Sequence, residues 1–228
     1  MIRSVTKLVR NFARKFIQLQ PAKDIKDSDL EYLLWISSLY LQIRSIPGHI
    51  AEVGVASGRN TVLFGRLIQI YGDSNIRQYV GFDTFDGYND KDLQRDQHLR
   101  ENNERWKTFS KKRVLERCAE NGIEHEVELF EGDASSLIPK ILSEHEGKKF
   151  QPNKALFSLV YIDCNAYNAA LESMQAFLPY MAPGGIYAID EKMQGGESEA
   201  MIEFAKKNKF NIEKPGINQV PMLIRLPK

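Results

Sequence analysis

The run Ile46-Pro47-Gly48-His49-Ile50-Ala51-Glu52-Val53-Gly54-Val55-Ala56-Ser57-Gly58-Arg59-Asn60 decides the fold. Pro47 and Gly48 break the helical pattern before them. His49 to Val55 then reads as a short apolar strand running into a glycine turn, and Asn60 to Tyr71 follows as a helix. The same alternation continues downstream. Gln78–Phe82, His125–Phe130, Ala155–Ile162 and Gly185–Ile189 read as strands. Helical patterns lie between them: a charged stretch over Lys91–Glu120, then Ala134–Glu144 and Asn168–Met181, with Ser198–Asn208 as the last. Strands alternating with helices predict a parallel sheet covered on both faces. The end of the chain differs. Strands around Phe210–Glu213 and Gln219–Arg225 flank a Pro-Gly turn, too short a connection for a parallel crossover, so they make an antiparallel hairpin. The expected fold is a doubly wound α/β, mostly parallel seven-stranded sheet, Rossmann-like, with a terminal antiparallel hairpin and an N-terminal helical segment.

Upstream, Ser28 to Ile43 is helical, with Asp27 or Ser28 as its N-cap. From Met1 to Lys26 the cations Arg3, Lys7, Arg10, Arg14, Lys15, Lys23 and Lys26 face a single acid, Asp24. Ile2, Val5, Leu8, Val9, Phe12, Phe16 and Leu19 recur there at helical spacing, so an amphipathic basic helix is expected. It would serve as a lid or dimerisation segment, the alternative being contact with an anionic membrane surface. Residues 1–45 are thus set apart from a main domain over 46–228.

Composition narrows the class. The chain has 228 residues, 43% hydrophobic and 27% charged, which fits one large folded domain with an appendage and argues against disorder. Net charge is +1, so no global field draws it to nucleic acid. Cys118 and Cys164 have no CxxC spacing, which argues against a disulfide framework or structural zinc and for a reducing compartment. No apolar run approaches the ~20 residues of a membrane span, and the N-terminus lacks signal-peptide features. A cytoplasmic protein, homo-oligomeric, is expected.

The first strand's end carries Glu52-x-Gly54-x-x-x-Gly58. Glycine permits a tight turn and close backbone approach. Ala56 and Arg59 stand where a dinucleotide fingerprint GxGxxG has glycines, and an acid lies two residues before the first glycine. A carboxylate there repels a pyrophosphate but suits the cationic amino-acid end of S-adenosylmethionine. Asp83, ending the second strand, is placed to accept hydrogen bonds from ribose hydroxyls. Asp133, after the third, is placed for an adenine amino group. The acids converge on one crevice.

With these residues in view, the sequence resembles the macrocin O-methyltransferase (TylF-like) family of class I S-adenosylmethionine-dependent methyltransferases. The matching pieces are Ile46 to Val55, Phe82-Asp83-Thr84-Phe85-Asp86-Gly87, Gly132-Asp133, Tyr161-Ile162-Asp163 with Tyr167, and Pro183-Gly184-Gly185 leading to Asp190-Glu191. The resemblance implies cofactor residues Glu52, Gly54, Gly58, Asp83 and Asp133. It also implies metal-dependent methylation of hydroxyls, commonly on natural-product sugars. Asp163 and the pair Asp190-Glu191 end neighbouring strands, ~4.8 Å apart, so they can share one hard cation, Mg²⁺ or Mn²⁺. The family pattern has two aspartates at the second place. An alternative makes Asp163 a cofactor contact and Asp190-Glu191 a cap for the next helix.

One departure bears on mechanism. Relatives carry Asp-x-Asp-x-Tyr after the fourth strand, the second aspartate placed as general base. Here the run is Asp163-Cys164-Asn165-Ala166-Tyr167. An amide can orient a hydroxyl but cannot take its proton. The metal alone could acidify the acceptor, or His98 or Lys192 could serve as base, or catalysis could be weak. His49, His98, His125 and His145 share no ligand spacing, and Cys164 reads as a small semi-buried residue. The stretch Lys91–Lys112, with Trp106 and Phe109, is expected as a flap on the acceptor side. The sequence therefore predicts a metal-dependent O-methyltransferase with Asp163 and Asn165 at the reacting end. Its acceptor would be a small sugar-like or polyketide-type molecule. The rivals are an NAD-dependent oxidoreductase and a catalytically weak S-adenosylmethionine-binding protein.

Overall fold

The computed structural model describes residues 26–143, 156–190, 195–214 and 222–228. Of the basic segment Met1–Lys26 only Lys26 is among them, and Glu191 and Lys192 lie outside. The chain divides into two compact units, residues 1–34 and 35–228. The division falls within helix α1 (Asp27–Ile43).

Each strand forms where the sequence is apolar and β-branched or aromatic. They are β1 (His49–Val53), β2 (Tyr79–Asp83), β3 (Val127–Glu131), β4 (Phe157–Ile162), β5 (Met181–Ile189), β6 (Ile212–Glu213) and β7 (Leu223–Arg225). The sheet order is β3-β2-β1-β4-β5-β7-β6. The first five strands pair in parallel, and β7 runs antiparallel to both β5 and β6. The expected fold, terminal antiparallel pair included, is the one observed. β4 is buried at all its positions, as a central parallel strand must be when both faces are covered.

The covering helices are α2 (Arg59–Ile70), α3 (Asp90–Arg95), α4 (Asn103–Trp106), α5 (Lys111–Glu120), α6 (Ala134–Ser143), α7 (Tyr167–Phe177) and α8 (Gly196–Asn208). Phe177 of α7 meets Phe157 and Phe82 edge-on, with ring centroids 4.9 and 5.7 Å apart. This places the middle of one core layer over β2 and β4. From Trp35 onward α1 buries Trp35, Ile36, Leu39, Tyr40 and Ile43. Arg77, itself buried, donates to the Ile43 and Ile46 carbonyls at 3.1 and 2.9 Å, satisfying acceptors just where the helix stops. Among the described residues no helix is long and apolar enough to cross a membrane.

Two elements differ from expectation. The charged stretch Lys91–Glu120 is not one helix but α3, a 3-10 turn over Gln97–Asn102, α4 and α5. Its polar side chains cap instead of continuing: Asn89 accepts the Asp92 N–H and Ser110 the Arg113 N–H, starting α3 and α5 separately. The fifth strand begins at Met181, ahead of the expected Gly185. The pairing skips from Phe157↔Met181 to Leu159↔Ile186, so Pro183-Gly184-Gly185 is absorbed as an irregularity inside β5.

At the start of β1, His49 shows how tightly this edge is built. Its Nδ1 accepts the Gln78 N–H at 3.1 Å, which requires a neutral ring. Burial, and then the Arg77 charge, lower its pKa from 6.5 to about 4. The unfolded chain binds a proton near pH 6.5 that the folded chain refuses until about pH 4. Stability therefore rises with pH across that window. His49 alone should cost the fold up to about 3 kcal/mol as pH drops through it. Urea denaturation of wild type against His49→Gln, from pH 7 to 4, should show the flatter profile in the variant; identical profiles would refute this account.

Candidate active site

The chain winds outward from β1 through β2 to β3, then returns to the other side of β1 to lay down β4 and β5. The order reverses between β1 and β4, and in sheets of this type a crevice opens at that point beyond the carboxyl ends of the strands. Among the described residues, those singled out from the sequence lie in or just beyond these strand ends.

Gly54 leaves β1 with φ +93°, and its N–H donates to the Phe82 carbonyl at 2.9 Å. A Cβ here would lie 1.9 Å from the Asp163 carbonyl oxygen. Glycine is thus demanded here by the Asp163 backbone just after β4. Gly58, with φ +78°, packs where a Cβ would meet Val114 of α5 at 2.6 Å. Between them the loop is clasped by Asp83. Its Oδ2 accepts the Val55 and Ala56 N–H groups at 2.7 and 2.8 Å, and its Oδ1 accepts the Phe85 N–H at 2.6 Å. Asp133 caps α6 by accepting the Ser136 N–H at 3.1 Å and takes the Asn89 amide at 3.2 Å. It thereby ties the rim of the crevice to the start of α3.

Glu52 is fully buried beneath the loop. Asn60 Nδ2 donates to its Oε1 at 2.6 Å, and the Tyr79 hydroxyl donates to Oε2. Burial holds its pKa well above the ordinary carboxylate range. The same Asn60 amide donates to Asp163 Oδ2 at 3.1 Å, linking the floor of the loop to the end of β4. Asp163 is pushed well up too, by burial first and then by the charges of Asp190, Glu197 and Glu52. Asp190 follows β5 and accepts the Tyr161 hydroxyl. Among the described residues no group of three or more His, Cys, Asp or Glu side chains is set to hold a metal. Asp163 and Asp190 stand at the ends of the paired strands β4 and β5, and a cation held between them would relieve the repulsion that raises Asp163. The third expected ligand, Glu191, is outside the described residues.

Asn165 adopts φ +57°, a conformation asparagine tolerates better than most side chains. Its backbone N–H donates to Glu197 Oε1. Tyr88 and Glu197 were missed from sequence. Burial raises the Tyr88 pKa, with further contributions from Cys164, Glu197 and Asp163. Its ring stands edge-on to Trp106 at 6.5 Å. For Glu197 the available signal was a Gly-Gly pair opening a helix with an acid in its first turn. His98, considered as a base, is exposed on the 3-10 turn. Burial pushes the Cys164 thiol well up, so it is no ready thiolate. Asp96 and Asp92 accept the Tyr167 and Ala169 N–H groups at 2.8 and 3.3 Å. The expected flap is therefore pinned by two carboxylates to the N-terminus of α7.

The sequence family described as "Methyltransferase domain" matches residues 51–191. No curated protein matches the chain significantly in sequence. Among solved structures, CalS11, a calicheamicin methyltransferase, superposes with a TM-score of 0.68 at 24% identity, over 98% of this chain and 90% of that one. Its apo structure, described as a TDP-rhamnose 3'-O-methyltransferase of calicheamicin biosynthesis, gives 0.64 at 24% identity over 91% and 87%. The O-methyltransferase NovP gives 0.71 at 16% identity over 87% and 80%. At these identities the likeness is one of fold.

The Gly54–Asp163 contact yields a direct test. Gly72 also has positive φ but open space around it, so it controls for backbone strain alone. Gly54→Ala should lower stability by at least about 2 kcal/mol more than Gly72→Ala in urea denaturation. Equal losses would mean that β4 does not dictate this glycine.

Proposed function

The chain belongs to this methyltransferase-domain family, and we propose that it moves the methyl group of S-adenosylmethionine to a hydroxyl of a small, sugar-like or natural-product acceptor. The observation that carries this reading is the assembly of the Gly54–Gly58 loop, Asp83, Asp133 and Asp163 around the single switch point of the sheet. The loop backbone would receive the amino-acid end of the cofactor, Asp83 the ribose hydroxyls and Asp133 the adenine edge. Asp83 and Asp133 can accept bonds beyond those they already hold. Glu52, with both oxygens engaged, would act by fixing Asn60 and the first turn of α2. When bound, the cofactor supplies an electrophilic methyl on a sulfonium.

The protein's part is positioning. Asp163 and Asp190, with Glu191, would hold Mg²⁺ or Mn²⁺, which supplies Lewis acidity toward the acceptor's hydroxyls. Asn165 and Tyr88 would orient the acceptor through their amide and phenol groups, while the pinned flap carrying Trp106 shelters it from water. The sugar preference is the finer, TylF-like part of the reading; it draws on the described activity of CalS11.

Calorimetry should show S-adenosylhomocysteine binding and no comparable NAD binding. Methyl-labelled S-adenosylmethionine with TDP-rhamnose and related sugar nucleotides should give labelled ether product. Asp190→Ala should cut turnover about 100-fold or more while leaving cofactor affinity within about twofold. NAD preference would overturn the cofactor assignment, and full turnover after exhaustive chelation would overturn the metal. Cofactor binding with no methyl transfer would instead mark a binding protein that has lost catalysis.

A further inference from the structure

Methyl transfer to a hydroxyl leaves a proton that must go somewhere, and Asn165 cannot accept it. This inference rests on the methyl-transfer reading above and asks which carboxylate replaces the one missing from position 165. Glu197 comes from another element, the first turn of α8, and is 1% exposed. It is carried there by Gly195 at φ +155° and by Gly196, where a Cβ would lie 2.5 Å from the Tyr167 backbone nitrogen. The start of α8 is therefore pressed against the loop that follows β4, with no room for a side chain between them. Across that contact Glu197 Oε1 takes the Asn165 N–H.

Groups from the loop after β4 and from the end of α3 stand close to it. From the β4 loop, Asp163 and the Cys164 thiol both feel the Glu197 charge, and so does the Tyr88 hydroxyl from the β2 loop. From α3, Asp96 Oδ2 lies beside Gly196, while Arg95 pairs with Glu199 on the exposed side of α8. The N-terminal turn of α8 favours a carboxylate there. We propose that Glu197 takes the proton of the acceptor hydroxyl, entering from α8 to stand in for the carboxylate that Asn165 does not supply. The acceptor O–H bond breaks and its proton passes to a Glu197 oxygen. The oxygen's electron pair forms the new O–C bond to the methyl carbon, and the C–S pair stays on sulfur as a thioether. Sulfonium and carboxylate charges are thereby both neutralised, and Glu197 returns its proton to water after the product leaves.

Glu197→Gln is the test, because an amide oxygen still accepts the Asn165 N–H and preserves the loop. With methyl-labelled S-adenosylmethionine and a panel of TDP-rhamnose, other sugar nucleotides and catechol, kcat should fall about 100-fold or more. Affinity for S-adenosylhomocysteine should stay within about twofold. Adding Asn165→Asp to Glu197→Gln should recover at least about tenfold of the lost rate, since it returns a carboxylate to the same loop. Turnover of Glu197→Gln within about threefold of wild type overturns the proposal, and so does a double variant no faster than the single one, which assigns Glu197 to bracing the loop. A wild type that methylates none of the panel overturns the methyl-transfer reading and this inference with it. That failure is visible in the wild type alone.

Discussion

The contact between the exit of β1 and the end of β4 constrains everything around the crevice. The Gly54 α-carbon approaches the Asp163 carbonyl so closely that no side chain fits. On either side of it the ladder is regular: the Asp163 N–H reaches the Val53 carbonyl at 2.8 Å, and the Gly54 N–H reaches Phe82 at 2.9 Å. Three strands are therefore bound to one another at the level where their side chains turn from core to site. Because the chain reverses its winding here, the loops after β1 and β4 lead to different helices, α2 and α7. The crevice lies where the two helices part, and its floor is rigid backbone.

That rigidity lets the protein hold several carboxylates where water is scarce. Glu52 and Asp163 are each driven toward their neutral forms by burial, and Asp163 further by Asp190, Glu197 and Glu52. Asn60 is a neutral bridge between the first two, donating from one amide nitrogen to both. A neutral amide costs less to bury than a cation, yet it cannot cancel the repulsion among Asp163, Asp190 and Glu197. Neutralisation has to come from protons or from a bound cation, and a metal at Asp163 and Asp190 or a proton-accepting Glu197 would each meet that need.

The fold was legible because its signals are local. Apolar runs of strand length alternate with helical periods, and the short Pro-Gly connection can only join antiparallel neighbours. Asp83 and Asp163 were legible for a related reason: each follows the last buried residue of its strand, while Asp133 lies two residues beyond β3. Asn60, Tyr88 and Glu197 were not. Asn60 sits 103 residues from Asp163 in sequence and Glu197 sits 32 from Asn165. Nothing in the spacing of either pair signals a contact, which depends on how α2 and α8 pack. The stretch Lys91–Glu120 misled through composition. Its charged residues suit a helix, but Asn89 before it and Ser110 within it each cap a helix start, so α3 and α5 begin separately. Asp92 and Asp96, within the stretch expected as a flap, are both buried as caps of α7.

The backbone of the crevice explains why its acids have two kinds of work. Among the described residues four non-glycine positions have positive φ; three of them, Ala56, Phe85 and Asn165, lie in the loops after β1, β2 and β4. Each donates its N–H to a carboxylate. Ala56 and Phe85 donate to the two oxygens of Asp83, and Asn165 donates to Glu197. A strained conformation of this kind costs about 1–3 kcal/mol, and a hydrogen bond to a charged acceptor contributes about 1.5–3 kcal/mol. The two are of the same size, so each carboxylate can hold its loop in a shape the loop would otherwise leave. The strain therefore persists only while the accepting oxygen remains in place. Asp83 and Glu197 become the points at which the shape of the crevice and its charge are set together. A crevice built this way is formed before any ligand arrives, as a reaction that depends on alignment requires.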